Sequence, residues 1–183
     1  MDCENSLPSN ERIVWADVET TGLRAGRPDQ LLEIAVLITD LDLNILDEAG
    51  RTCVARHHKD VRDLADDYVK NMHDSTGLWN KVEYGYPYQI IDDVVTSYVK
   101  LFAPEPRQAR LAGNSVRLDA NFIDEFLPSL SAHLHYRILD VSSIAFEACE
   151  VRGVQPFKKD YLHEAMSDIR ESIDELRYLR ANR

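Results

Sequence analysis

The chain is 183 residues long and carries 32 Asp and Glu against 21 Lys and Arg, a formal net charge of −11. Hydrophobic residues make up 44% and charged residues 29%, the composition of a globular protein with a sizeable core. The charge excludes a protein that grips duplex nucleic acid by neutralising many phosphates, and leaves the acids as solvated surface or as a cluster on a cation.

Residues 13–18 (I-V-W-A-D-V) form an apolar run that turns acidic and ends at Thr20-Thr21-Gly22, which predicts a strand and a tight turn. Residues 33–39 (E-I-A-V-L-I-T) predict a second, mostly buried strand. Residues 43–46 and 52–55 read as parts of a third, so an antiparallel meander is expected at the start. Ile90, Ile91, Val94, Val95, Tyr98, Leu101 and Phe102 then recur at helical spacing until Pro104 and Pro106 stop the run. Residues 110–112 predict a short strand that ends at Gly113-Asn114-Ser115. Phe122, Ile123, Phe126 and Leu130 mark a helix interrupted near Pro128. Residues 137–141 predict a fifth strand and 143–151 a helix. A last helix is marked by Ala165, Met166, Ile169, Ile173, Leu176 and Leu179, which step by three or four. The order predicts one α/β domain over residues 1–183, with a mixed five-stranded sheet flanked by helices and a flexible start at 1–11.

Cys3, Cys53 and Cys149 form no CxxC pair and no metal-finger spacing, which points to a reducing compartment. No run approaches the ~18 apolar residues that a membrane span needs, and the opening M-D-C-E-N-S is unlike a leader. The expectation is a cytoplasmic protein with no membrane partner.

Asp17 and Glu19 are two apart on a predicted strand, so both leave the same face, at the end where α/β proteins place ligands. A lone D-x-E pair is also the ordinary polar end of a strand. Asp119, at the start of a helix just after a predicted strand, and Asp168, on the flank of the last helix's apolar stripe, extend the set. Asp168 taken alone could equally belong to a surface lattice with Arg170 and Asp174. His163 precedes Asp168 by five residues, so the two share no face of a regular helix, and His163 is expected in the entering loop or first turn. Together these residues support one chemistry. Hard carboxylate oxygens suit Mg²⁺ or Mn²⁺, two such ions can activate water for phosphodiester cleavage, and a histidine can take the proton.

The segments D-V-E-T-T-G-L (17–23), G-N-S-V-R-L-D (113–119), H-Y-R-I-L-D-V-S (135–142) and H-E-A-M-S-D-I-R-E-S-I (163–173) resemble those of the oligoribonuclease family. Phe157-Lys158-Lys159 before His163 matches as well, and the likeness runs from about residue 13 to 180. That family belongs to the DEDDh class of 3′→5′ exonucleases, which have a ribonuclease H-like fold. The resemblance implies that Asp17, Glu19, Asp119 and Asp168 hold two divalent ions, Mg²⁺ or Mn²⁺, and that His163 is the general base. It implies a substrate of very short RNA, down to dinucleotides, cut to 5′-mononucleotides by a homodimer. Leu23 then matches an apolar wedge against the bases, Tyr68 a stacking position, and His73 and Ser115 residues that hold the 5′ phosphate. From the partner, Tyr136 would stack on the substrate while Arg137 and Ser142 contact phosphate, Tyr136 and Arg137 completing the partner's site. The chain departs from the family at Thr20 (usually Met), at Tyr68 (commonly Trp), and at Glu164 and Ser167 around Asp168. The alternative within the same chemistry is a DEDDh exonuclease acting on longer RNA or DNA 3′ ends.

Overall fold

The computed structural model describes residues 8–26, 28–159 and 164–182. Its centre is β1 (Arg12–Thr20), whose side chains alternate between two cores. Val14, Ala16 and Val18 face one side, while Ile13 and Trp15 face the other, as a period of two requires. Strand β2 (Leu31–Asp40) runs antiparallel to β1 and pairs in turn with the short antiparallel β3 (Arg51–Val54). On the other side of β1 lie β4 (Arg110–Gly113) and β5 (His135–Asp140), both parallel to it, giving the order β3-β2-β1-β4-β5. This is the expected mixed five-stranded α/β sheet.

Helices α1 (Asp67–Ser75) and α2 (Leu78–Lys81) precede α3 (Tyr88–Phe102), which starts after Pro87. Helices α4 (Arg117–Phe126) and α5 (Pro128–His133) break where Pro128 was expected to break them. The start of α5 is held by the Asp92 carboxylate, which accepts from the Ser129 and Leu130 N–H groups at 2.9 Å each. After β5 come α6 (Val141–Phe146), a π-helical turn Glu147–Val151, and α7 (Ala165–Ala181). The core with Val14, Ala16 and Val18 is closed by Ile91, Val95, Phe122 and Ile123 of α3 and α4. The core with Ile13 and Trp15 is closed by Ile169, Ile173 and Leu176 of α7. Within it the Trp15 indole N–H is satisfied by the Thr39 hydroxyl at 2.9 Å.

The sequence reading and the structure differ at residues 43–46 and at α1. Residues 43–46 are a turn rather than part of a strand. The Asp40 carboxylate accepts from both the backbone and the side-chain amide of Asn44, Leu43 takes a φ of 68°, and only Ile45 bridges back to Thr39. Helix α1 was not anticipated, because it is short and mostly polar and its one buried residue is His73. An Asp66 side-chain cap on the Val69 N–H, at 2.9 Å, supports its start. At the amino terminus, residues 1–7 lie outside the described residues, but Ser9–Glu11 is a packed 3₁₀ turn. Ser9 is buried there, and its hydroxyl bonds the Glu105 carboxylate and accepts from the Glu105 N–H. Among the described residues, no helix is long and apolar enough to cross a membrane.

Candidate active site

Asp17 and Glu19 continue the alternation that points Ile13 and Trp15 toward α7. Asp168 meets them from the first turn of α7. One carboxylate oxygen from each of Asp17, Glu19 and Asp168 lies within 4.8 Å of the others. Asp119 arrives from the first turn of α4, is 5% exposed, and accepts the Val18 N–H at 3.0 Å, which seats it between Asp17 and Glu19 along β1. The four expected acids therefore converge on the carboxyl end of β1. His163 lies outside the described residues. The chain on either side of it is fixed to this region, since Lys159 bonds Glu175 at 2.6 Å and α7 begins after Glu164.

Burial and mutual repulsion make this cluster hard to ionise. Burial first, then Asp119, Glu19, Asp168 and Glu33, hold the Asp17 carboxyl well above the usual range. Burial, with Asp168, Glu33 and Asp119 adding, pushes Glu19 up to about 8. Burial pushes Asp119 up to about 7 against the opposing help of the Val18 N–H. Among the described residues, no lysine or arginine pairs with Asp17, Glu19 or Asp119. Buried acids that lack a lysine or arginine partner and offer only oxygen fit a hard divalent cation.

The turn after β1 is built to present Leu23. The Thr20 hydroxyl donates to Gly22 O at 2.6 Å, so the chain's threonine ties the turn where a methionine could not. The Asp29 carboxylate accepts the Arg24 N–H at 2.8 Å and lies so close under Gly22 that a Cβ there would stand 2.6 Å from it. Leu23 is left 76% exposed at the tip, and Tyr68 on α1 is 68% exposed. His73 is fully buried. Its Nε2 lies 2.9 Å from Thr20 O, its Nδ1 lies 3.8 Å from a Glu19 carboxylate oxygen, and its ring meets Trp79 edge-on.

Ser115 and Ser142 meet within one chain, their hydroxyl oxygens 3.2 Å apart. Ser142 opens α6 directly after β5, and β5 lies beside β4, so the two strand ends bring it to Ser115. The Asp140 carboxylate accepts from the N–H groups of both serines, and Ser115 takes a φ of 50° to allow this. Tyr136 and Arg137 stand apart from that cluster on the outer strand. Tyr136 is 72% exposed, with the Arg137 guanidinium 5.4 Å over its ring.

Sequence reasoning overlooked a polar network behind the acids. Asn114 donates to the Ser172 hydroxyl at 2.9 Å and to the Glu175 carboxylate at 2.8 Å, and Ser172 donates to Asp168 O at 2.8 Å. The signal was present, because positions 168, 172 and 175 follow helical i, i+4, i+7 spacing.

Comparison with known proteins agrees with this geometry. The exonuclease family RNase_T matches residues 14–176. An oligoribonuclease from Leifsonia xyli is 39% identical over 94% of this chain and 84% of its own. One from Mycobacterium leprae is 41% identical over 93% and 80%, and the mitochondrial oligoribonuclease of Bos taurus is 40% identical over 94% and 73%. Among solved structures, Exonuclease I from Methylocaldum szegediense superposes with a TM-score of 0.68 at 17% identity, over 94% of this chain. The E. coli ExoI–ssDNA complex gives 0.69 at 15% identity, over 93% of this chain. The chain spans about two fifths of those two structures, 41% and 40%, and the likeness shows the ribonuclease H-like fold they share. On sequence identity along nearly its whole length, the chain belongs to the oligoribonuclease family of exonucleases.

Proposed function

We propose that two divalent cations, Mg²⁺ or Mn²⁺, held by Asp17, Glu19, Asp119 and Asp168, support the 3′→5′ exoribonuclease activity on short oligoribonucleotides that family membership gives this chain. The observation that carries the metal reading is the gathering of three carboxylate oxygens, from Asp17, Glu19 and Asp168, within 4.8 Å of one another. When bound, the cations would polarise the scissile phosphate and make an attacking water more acidic. His163 would take the proton of that water on an imidazole nitrogen, a task suited to a pKa near neutrality.

The remaining residues bind and orient. Leu23 and Tyr68 offer exposed apolar and aromatic surface to the bases, which suits recognition without sequence preference. The paired hydroxyls of Ser115 and Ser142 would donate to the 5′ phosphate. His73, buried behind Glu19, is better placed to hold that carboxylate than to reach a phosphate directly. The chain would act as a homodimer, with Tyr136 and Arg137 of one copy completing the site of the other. Tyr136 is separated from Asp140 by four strand residues, roughly 13 Å, so it does not meet its own chain's serines. Cys53 and Cys149 are free thiols, which fits the cytoplasm.

The test is a comparison of rates on 5′-labelled RNAs of two, five and twenty nucleotides with Mg²⁺. The two-mer should be cleaved fastest. A preference for the twenty-mer would overturn the short-substrate reading, and no cleavage with either Mg²⁺ or Mn²⁺ would overturn the metal reading.

A further inference from the structure

Along the flank of the outer strand, a hollow of about 260 Å³ opens between β5, α4 and α5. Arg107, Arg117 and His135 line it, and its floor is made by the buried Leu111 and Ile123. None of the four acids at the carboxyl end of β1 lines it. Both arginines are exposed, and among the described residues neither has a carboxylate partner within 4 Å. Asp124, the acid in the lining, accepts from the Ser131 hydroxyl at 2.6 Å and offsets one of the two positive charges. In a chain of net charge −11, two guanidiniums left without acidic partners around one hollow are unusual. Arg107 also holds a φ of 63°, a left-handed conformation costly for a side chain with a Cβ, fixed by its N–H to His133 O at 2.7 Å.

We propose that this hollow is a second ligand site, specific for a nucleoside monophosphate. Guanidinium forks match phosphate oxygens in pairs, and no pH at which the protein folds removes their charge. The apolar floor takes the base. The volume falls just under the ~300–1,000 Å³ of ordinary small-molecule sites, so one nucleotide fits and a strand does not. The inference goes beyond the exonuclease reading and survives its failure, because it needs neither metal nor turnover.

The probe is AMP, titrated calorimetrically into the full chain in excess EDTA, with inorganic phosphate and adenosine as separate arms. AMP should bind once per chain. Arg107→Gly with Arg117→Ala should weaken it at least tenfold, while Asp17→Asn leaves it unchanged. Glycine suits the left-handed φ at 107 and alanine suits the first helical residue at 117, so both changes keep the fold. A thermal unfolding midpoint equal to that of the parent confirms it. Absence of AMP binding overturns the proposal, as does binding lost in Asp17→Asn and kept in the double variant. Phosphate binding as tightly as AMP removes the nucleoside from the claim, and adenosine binding as tightly as AMP removes the arginines.

Discussion

The parallel strands β1, β4 and β5 carry opposite charge problems at their carboxyl ends and along their outer flank. At the carboxyl ends, Asp17, Glu19 and Asp119 lie among like charges; burial and repulsion raise all three carboxyls, Glu19 to about 8 and Asp119 to about 7. Along the flank of the outer strand, Arg107 ahead of β4 and Arg117 in the first turn of α4 are exposed around a hollow, and among the described residues neither has a carboxylate partner within 4 Å. A carboxyl can relieve its surroundings by taking a proton, but a guanidinium cannot release one. Proton and cation therefore compete in the first region, while only an anion can answer the second. The contrast is sharp enough to be broken by experiment.

The largest effect should come from Asp17→Asn. Losing one charge from the cluster should slow cleavage of the two-mer by on the order of 1,000-fold or more, the scale seen when electrostatic stabilisation is removed from an active site. The same change relieves repulsion, so the metal-free variant should unfold at a higher temperature than the parent. Initial rates and thermal melts in EDTA measure the two sides. A variant that loses both activity and stability would make Asp17 a structural residue, and full activity would remove it from the metal site.

The second effect is on stability against pH. Glu19 is raised from 4.5 to about 8 and Asp119 from 3.8 to about 7. Between the lower and upper values the folded state holds protons that the unfolded state has released, so unfolding releases protons and stability falls as pH rises. In EDTA the protein should therefore lose stability from about pH 5 to pH 8, on the order of a few kcal/mol, and level off above. Mg²⁺ should flatten the slope by replacing the protons. The arginine hollow adds nothing to this slope, so chemical denaturation across that range isolates the acid end. A rising profile in EDTA would contradict the burial of the acids.

The difference between the two regions also separates what the sequence made legible. Asp17 and Glu19 could be placed together because a strand period of two is fixed by backbone geometry, and Asp168 because it flanks a clear helical stripe. The five strands and the break at Pro128 were legible for the same reason, since proline and apolar periodicity act locally. Helix α1 was not, because its place depends on burying His73 against Thr20, a contact far away in sequence. The meeting of Ser115 with Ser142 escaped likewise, because it depends on β4 and β5 being neighbours. The arginine hollow escaped entirely. Arg107 and Arg117 flank a strand in sequence, and only packing of α4 and α5 against β5 turns them toward one space.

Tyr136 sharpens the comparison because it stands at the rim of the arginine hollow and yet is proposed to serve the acid end of a partner. Tyr136→Ala removes an exposed ring from an outer strand, so the fold should survive. Stacking on one aromatic is worth ~1–3 kcal/mol per base, which corresponds to a loss in kcat/KM of roughly 5- to 150-fold on the two-mer. The loss alone does not say which chain's site is damaged, but mixing does. A Tyr136→Ala chain keeps its acids and lacks the ring, whereas an Asp17→Asn chain keeps the ring and lacks an acid. If the ring acts across the dimer, co-refolding the two impaired variants creates mixed dimers with one complete site each, and activity rises above the mean of the two unmixed variants. If the ring acts on its own chain, every site in the mixture stays incomplete and activity stays at that mean. A rise on mixing would tie the two regions together through the partner, and its absence would confine Tyr136 to the arginine hollow.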